Sequence, residues 1–214
     1  MKQYNGEKGI ISLTSWKKRI GVAHNTLVSI LKNCPEFHIV LVLSEEEFTN
    51  KEKDLPDKIN ELADLDCIEI LWTYSNIKSY KKIMFTGEKY LNVPIISADD
   101  DIIYFNNFAD ILYQEWLKNE KAVVRYTSGD GNWRHAVAGP WTLYPPGFCN
   151  YMLKEFPKLN EHYIEESLDD DFNCYVIHKY NIPFTSANRG AGDMKMIAQD
   201  VGMCQHPKKW KDYE

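Results

Sequence analysis

Apolar and polar positions follow two patterns along the first half of the chain. Some runs are continuously apolar, as in strands buried on both faces of a parallel sheet, and others repeat apolar residues at helical spacing. These patterns predict strands at 9–15, 37–44 and 67–74, helices at 25–31, 55–65 and 78–91, and the first turn of a short helix at the acidic run 45–47. Alternating strands and helices favour a mostly parallel, Rossmann-like α/β sheet flanked by helices.

The stretch from Val93 to Tyr104 is apolar at both ends and carries three consecutive carboxylates, Asp99 to Asp101, in its middle. Burying three like charges without a counter-ion is very unfavourable. We therefore expect the triplet at the carboxyl end of a strand, open to solvent or around a divalent cation. An ordinary acidic turn is the alternative, although the apolar residues that follow at once are unusual after such a turn.

In the second half, apolar spacing predicts elements that surround an aromatic segment. They are helices at 108–117 and 163–180, and strands at 122–127 and 182–184. Residues 133–146 combine aromatics with Gly139 and three prolines, which favours a pocket-lining segment over a regular strand. The helix at 163–180 carries a second acidic triplet, Asp169 to Asp171. The two triplets reflect either chance or a division of labour between a metal site and a general base.

Basic residues gather on the expected ligand-binding side of the sheet. Residues 17–19 are all cations, and they follow a predicted strand that ends in the hydroxyls of Thr14 and Ser15. A second group, in the first turns of a predicted helix, comprises Lys78, Lys81 and Lys82. The helix dipole is already positive there, so an anionic ligand would offset the charge. Solvated cations and capping hydroxyls are the alternatives.

Composition narrows the class of protein. The chain has 214 residues, 44% hydrophobic, which suits one globular domain over 1–214, and a net charge of −6 argues against nucleic acid as a partner. The N-terminus lacks an apolar signal core, and no apolar run is long enough for a transmembrane segment. Five widely spaced cysteines without a Cys-x-x-Cys pair favour reduced thiols. We expect a cytoplasmic protein, with peripheral attachment to the inner face of the membrane as an option.

Six short blocks between residues 9 and 185 carry a resemblance. They are Ile11-Ser12-Leu13-Thr14-Ser15 with Lys18-Arg19-Ile20, Leu43-Ser44-Glu45-Glu46-Glu47-Phe48, Lys78-Ser79-Tyr80-Lys81-Lys82, Ser97-Ala98-Asp99-Asp100-Asp101-Ile102-Ile103-Tyr104, Leu143-Tyr144-Pro145-Pro146-Gly147 and Asp169-Asp170. In order and spacing they resemble a bacterial, family 2-like group of GT-A glycosyltransferases from surface-polysaccharide biosynthesis. An Asp-x-Asp alone is a much weaker signal.

The resemblance implies a GT-A fold, a nucleoside-diphosphate sugar donor, with UDP-sugars favoured, and a divalent metal, Mn²⁺ or Mg²⁺. It divides the chain into a nucleotide-binding half at about 1–120 and an acceptor half at about 121–214. By position in the blocks, Asp101 would be the main metal ligand, with Asp99 beside it. The residues that it places at the nucleotide are Thr14, Ser15, Arg19, Lys78, Lys82, Asp99 and Asp100.

The same resemblance places the catalytic base at Asp170, with Asp169 as the alternative. The base would deprotonate a hydroxyl of a glycan or lipid-linked acceptor, and direct transfer would invert the anomeric configuration. Consecutive helical residues point about 100° apart, so at most one or two residues of the triplet can face the cleft.

Two other classes of protein stay open. A non-catalytic sugar- or nucleotide-binding protein is one, since residues 136–141 replace a glycine-rich approach that the family tends to have before Leu143. A metal-dependent nucleotidyl- or phosphotransferase is the other. It is less favoured because the first strand is not followed by a glycine-rich phosphate loop.

Overall fold

A computed structural model describes residues 3–127, 141–188 and 194–198. The strands in these ranges are β1 (Ile10–Thr14), β2 (His38–Ser44), β3 (Glu69–Thr73), β4 (Ile95–Ser97), β5 (Ile102–Tyr104), β6 (Val123–Thr127), β7 (Thr142–Tyr144), β8 (Phe184–Asn188) and β9 (Met194–Met196). The helices are α1 (Ile20–Asn33), α2 (Asp57–Asp64), α3 (Lys81–Lys89), α4 (Phe108–Trp116), α5 (Phe148–Glu155), α6 (Glu161–Glu165) and α7 (Asp169–Lys179). Single 3₁₀ turns occur at Lys51–Asp54, Lys78–Tyr80 and Phe156–Lys158.

Seven strands form one mostly parallel sheet in the order β3-β2-β1-β4-β7-β6-β8. β1 pairs in parallel with β2 and β4, and Ile10 lies opposite both His38 and Ile95. β7 runs antiparallel to both of its neighbours, β4 and β6. The predicted α/β class is therefore confirmed, with one reversed strand.

Alternating residues of β1 divide the core between the two faces of the sheet. Ile11 and Leu13 pack in a cluster with residues of α1, α2 and α4. Ile10 packs on the other face with residues of α3, α5 and α7. On that second face α3 and α5 approach closely, and a Cβ on Gly87 would lie 2.5 Å from the Cβ of Cys149. Burial on both faces explains the continuously apolar sequence of the central strands.

The Asp triplet lies after the carboxyl end of a strand, as predicted, because β4 ends at Ser97 and β5 pairs with β9 in a separate sheet. Three other local predictions were wrong. The acidic run 45–47 is a turn, and the predicted helix at 163–180 is α6 followed by α7. Residues 142–144, predicted to be irregular, form β7, because β4 and β6 supply partners for their backbone groups.

Within the described ranges no disulfide joins Cys34, Cys67, Cys149 and Cys174, and Cys204 lies outside those ranges. Of the altered segment 136–141, only Trp141 lies inside those ranges, so the prediction made for this segment is not tested. No helix in the described part of the chain is long and apolar enough to cross a membrane.

Candidate active site

The predicted site residues of the first half gather where β1 and β4 end side by side. Both strands run in the same direction, so the loop after Thr14 and the loop after Ser97 leave the sheet at one edge. The Asp triplet forms the turn after β4. Three hydrogen bonds hold this turn, from Thr26 Oγ1 to the carbonyl of Asp100 (2.9 Å), from the Ile197 amide to the carbonyl of Asp101 (2.7 Å) and from the Asp99 amide to the Tyr104 hydroxyl (3.2 Å).

Arg19 joins the loop after β1 to this turn. Its Nε lies 3.1 Å from Asp100 Oδ1, and its Nη1 donates to Asp101 Oδ2 at 2.6 Å. Ser15 Oγ donates to Asp100 Oδ2 at 2.5 Å. Burial raises the pKa of Asp100, and Arg19 and Ser15 offset it only in part, so the pKa is about 6. Of the predicted basic loop only Arg19 turns inward, since Lys17 and Lys18 are exposed.

Lys82 links the two acidic clusters. This residue of α3 is 5% exposed, and its Nζ lies 3.0 Å from Asp99 Oδ1 and 3.2 Å from Asp169 Oδ2. Burial alone would lower the pKa of Lys82, but Asp169, Asp99 and Asp170 raise it well above its ordinary value. The ammonium is therefore charged, and it brings carboxylates 70 residues apart in sequence into one site.

The second triplet forms the first turn of α7, where carboxylates complement the helix dipole. Asp169 is buried, and it also accepts a hydrogen bond from Ser79 Oγ at 2.5 Å. Asp170, the next residue, is accessible to solvent even though protein surrounds it. Desolvation by these surroundings raises the pKa of Asp170, and repulsion from Asp169 adds to it, so the pKa is about 8 despite Lys82.

A cavity beside Ser15 is lined partly by residues that were not predicted from the sequence as site residues. About 230 Å³ of empty space, part of it open to solvent, is lined by Thr14, Ser15, Trp16, Glu47, Asn76, Lys78 and Lys81. Lys81 is 1% exposed and donates to Asn76 Oδ1 at 2.8 Å, and burial lowers the pKa of Lys81 to about 8. The buried indole nitrogen of Trp16 has no hydrogen-bond partner in the described part of the chain. The position of Asn76, just past the end of β3, is the signal that would have pointed to it.

The predicted residues thus fall into two groups that meet at Ser15. Thr14 and Lys78 line the cavity, but the hydroxyl of Thr14 donates to the carbonyl of Val42 and so also serves the sheet. The ion-paired group comprises Arg19, Lys82, Asp99, Asp100, Asp101 and Asp169. Asp170 stands at its edge, next to Asp169.

The donor set fits a divalent cation that completes its coordination with ligand oxygens. Within 3–127, 141–188 and 194–198, no group of three His, Cys, Asp or Glu side chains is arranged to hold a metal alone. Asp99 nevertheless presents a side chain that is 34% exposed, and the neighbouring Asp101 is a hard oxygen donor. One or two carboxylates plus substrate phosphates is the usual protein environment of Mg²⁺.

Comparisons with solved structures identify the fold. S. aureus TarS, a glycosyltransferase, superposes with a TM-score of 0.54 at 10% identity over 85% of this chain and 35% of TarS. Its 1–349 fragment in complex with UDP gives a TM-score of 0.54 at 12% identity, over 86% of this chain and 61% of the fragment. This chain therefore spans about a third of TarS and less than two thirds of the fragment.

A nucleotidyltransferase matches as well. The 4-diphosphocytidyl-2C-methyl-D-erythritol synthase gives a TM-score of 0.58 at 12% identity, over 92% of this chain and 95% of the synthase. No protein-family model matches the sequence, and no curated protein matches it. The chain thus has the α/β fold shared by GT-A glycosyltransferases and nucleotidyltransferases. At these identities the likeness defines the fold, and the reaction has to be argued from the site.

Proposed function

We propose that this chain is a metal-dependent glycosyltransferase that moves a sugar from a nucleoside-diphosphate sugar, with UDP-sugars favoured, to an acceptor hydroxyl with inversion. The observation that carries the proposal is the link through Lys82 between Asp99 and Asp169. This link supports a metal and diphosphate site at Asp99 with a base close by, next to Asp169. Transfer to a hydroxyl uses both, a metal to neutralise the leaving group and a base to take the hydroxyl proton.

On the donor side, Asp101 and Asp99 would hold Mn²⁺ or Mg²⁺, which when bound would neutralise charge on the diphosphate leaving group. Arg19 fixes Asp100 and Asp101, so the first carboxylate cluster is positioned before any ligand binds. Lys82 would add a positive charge beside the diphosphate. The adjacent cavity, with Lys78, Lys81 and Asn76, would take the nucleoside.

On the acceptor side, Asp170 is better suited to be the base than Asp169. The carboxylate of Asp169 is buried and engaged by Ser79 and Lys82, whereas Asp170 is accessible. In the step, the acceptor oxygen bonds to the anomeric carbon, the bond from that carbon to the diphosphate oxygen breaks, and the electron pair leaves with the nucleoside diphosphate. Asp170 takes the hydroxyl proton. A pKa near 8 suits a base that works near neutral pH.

The raised pKa of Asp170 also favours sugar transfer over nucleotidyl transfer. A sugar phosphate that attacks a nucleoside triphosphate is already ionised at neutral pH, so it requires no base. A basic carboxylate beside the site is therefore more useful for a neutral hydroxyl. Pyrophosphate release from UTP and a sugar phosphate would be the result that favours a nucleotidyltransferase.

The test is calorimetric titration of UDP with Mn²⁺ and with EDTA, in the wild-type protein, in Asp101→Asn and in a control, Asp64→Asn, which removes an exposed carboxylate from α2. We expect UDP to bind only with the metal. Asp101→Asn should weaken that binding at least about tenfold, or about 1.4 kcal/mol, while the control binds like the wild type. Equally tight binding of UDP in EDTA would rule out metal dependence.

A further inference from the structure

Arg125 is a cation in the middle of a strand whose neighbours are apolar. It lies on β6, and by strand alternation it shares a face with Val123, two residues earlier. Val123 packs in the core cluster that contains Phe172 and Val176 of α7. A residue on that face would ordinarily be apolar, so the half-buried guanidinium needs another explanation.

Among the described residues, no carboxylate lies within ion-pair distance of Arg125. The other cations at this edge of the sheet, Arg19 and Lys82, each contact two carboxylates, whereas the ion pairs in the described part of the chain do not include Arg125. Burial lowers the pKa of Arg125, and the ionisable groups that act on it are Cys174, Asp170 and Tyr144. Taking a charge partly out of water without a counter-ion is unfavourable. A bound anion would offset this cost.

The fold places Arg125 on the acceptor side of the site. β6 is antiparallel to β7, which is antiparallel to β4, so β6 runs toward the same edge of the sheet as β4 and its Asp triplet. Arg125 lies opposite Thr142 of β7, and Thr142 lies opposite Ser97 of β4, two residues before Asp99. Lys82 and Arg19 are the cations nearest the proposed donor diphosphate site, and both already contact carboxylates of Asp99 to Asp101.

We propose that Arg125 binds an oxyanion, a phosphate or a carboxylate, that the acceptor substrate carries close to its reacting hydroxyl. The planar guanidinium matches the two oxygens of such a group, and a bidentate contact would orient the acceptor. This inference rests on the proposed function, because it takes Asp170 as the position of the acceptor hydroxyl. The alternative source of the same chemistry is the carboxylate of a uronic acid in the donor sugar.

The test uses glycerol 1-phosphate as an anionic probe and glycerol as its neutral counterpart. Each is titrated by calorimetry into protein saturated with UDP and Mn²⁺, so that the donor site is filled. We expect wild-type protein to bind the phosphate in preference to glycerol. Arg125→Gln should weaken that binding at least about tenfold, and Arg125→Lys should retain part of it. Lys121→Gln, which removes an exposed cation two residues before β6, is the matched control and should bind like the wild type.

The other outcomes would contradict either the acceptor role of Arg125 or the proposed function. Binding of glycerol 1-phosphate that is absent, or unchanged in Arg125→Gln, would overturn the acceptor role of Arg125. A preference for UDP-glucuronic acid over UDP-glucose that disappears in Arg125→Gln would overturn it in favour of the donor sugar. If Arg125→Gln does not fold, Arg125→Lys decides the outcome, because its shorter, non-planar head group should still weaken phosphate binding. Wild-type protein that binds no UDP would instead overturn the proposed function, and the acceptor role with it.

Discussion

Charged side chains are buried at both edges of the central sheet, the amino edge where the parallel strands begin and the carboxyl edge where they end. The charges are fully paired at the first edge and incompletely paired at the second. At the amino edge, Glu69 at the start of β3 accepts hydrogen bonds from His38 Nε2 (2.8 Å), Lys89 Nζ (2.9 Å) and the Tyr90 hydroxyl (2.5 Å). Burial by itself would raise the pKa of Glu69, yet these bonds lower it to about 2. Through its contact with Glu69, His38 also serves the fold.

At the carboxyl edge the balance is reversed. Arg19 and Lys82 are shared among Asp99, Asp100, Asp101 and Asp169, so carboxylates outnumber their cations. The pKa of Asp100 is raised to about 6 and that of Asp170 to about 8. A satisfied buried cluster stabilises the fold, whereas an undersatisfied one at a ligand-binding edge indicates a site that is completed by a cation or a substrate.

The largest expected effect is at Asp170. Asp170→Asn should reduce sugar transfer about 10²–10⁴-fold, because it removes a base that acts in the transition state. Metal-dependent UDP binding, measured by calorimetry, should stay nearly unchanged. Asp171→Asn is the matched control, since the neighbouring side chain points about 100° away along the helix.

The wild-type transfer rate supplies a second measurement of the same group. It should rise with pH up to about 8, where Asp170 loses its proton, and then level off. Near-normal turnover in Asp170→Asn would refute the assignment, and a product with retained configuration would refute direct inversion.

A change at Glu69 should have the opposite effect to one at Asp170. It should destabilise the fold and leave the ligand-binding site intact. Glu69→Gln removes the charge that pairs with Lys89 and accepts a hydrogen bond from His38, and should lower the free energy of unfolding by about 3 kcal/mol in urea titrations. UDP affinity should not change. The folded-state pKa of Glu69 lies below its ordinary value, so its stabilising effect should be present above about pH 4.5 and be lost as the pH falls toward 2. Equal acid sensitivity in the variant and the wild type would contradict this role.

The smallest expected effect is on stability at Asp100, and its sign should be opposite to that at Glu69. The folded-state pKa of Asp100 is raised, so the charged carboxylate opposes folding, and its contribution to stability is lost as the pH rises through about 6. In EDTA at pH 7, Asp100→Asn should raise the free energy of unfolding, measured in urea, by up to about 3 kcal/mol for a pKa that rises from 3.8 to about 6. A destabilised variant would mean that Asp100 belongs with Glu69 as a structural group.

Much of the fold could be predicted from local pattern. Apolar runs marked β1, β2 and β3 to within two residues at either end, because strands buried on both faces must be apolar throughout. Arg19, Lys82 and the Asp triplet also fell where predicted, at one edge of the sheet, because parallel strands end there together.

Tertiary structure decided the rest, since those features depend on partners distant in sequence. Nothing local shows that β7 runs antiparallel, that β5 leaves the main sheet for β9, or that Lys82 reaches Asp169. The same is true of Arg125, whose sequence context is an ordinary strand and whose lack of an ion pair is visible only once the described side chains around it are placed. The sequence by itself determined which residues carry charge and where strands end, and only the packed chain decided which of those charges are neutralised.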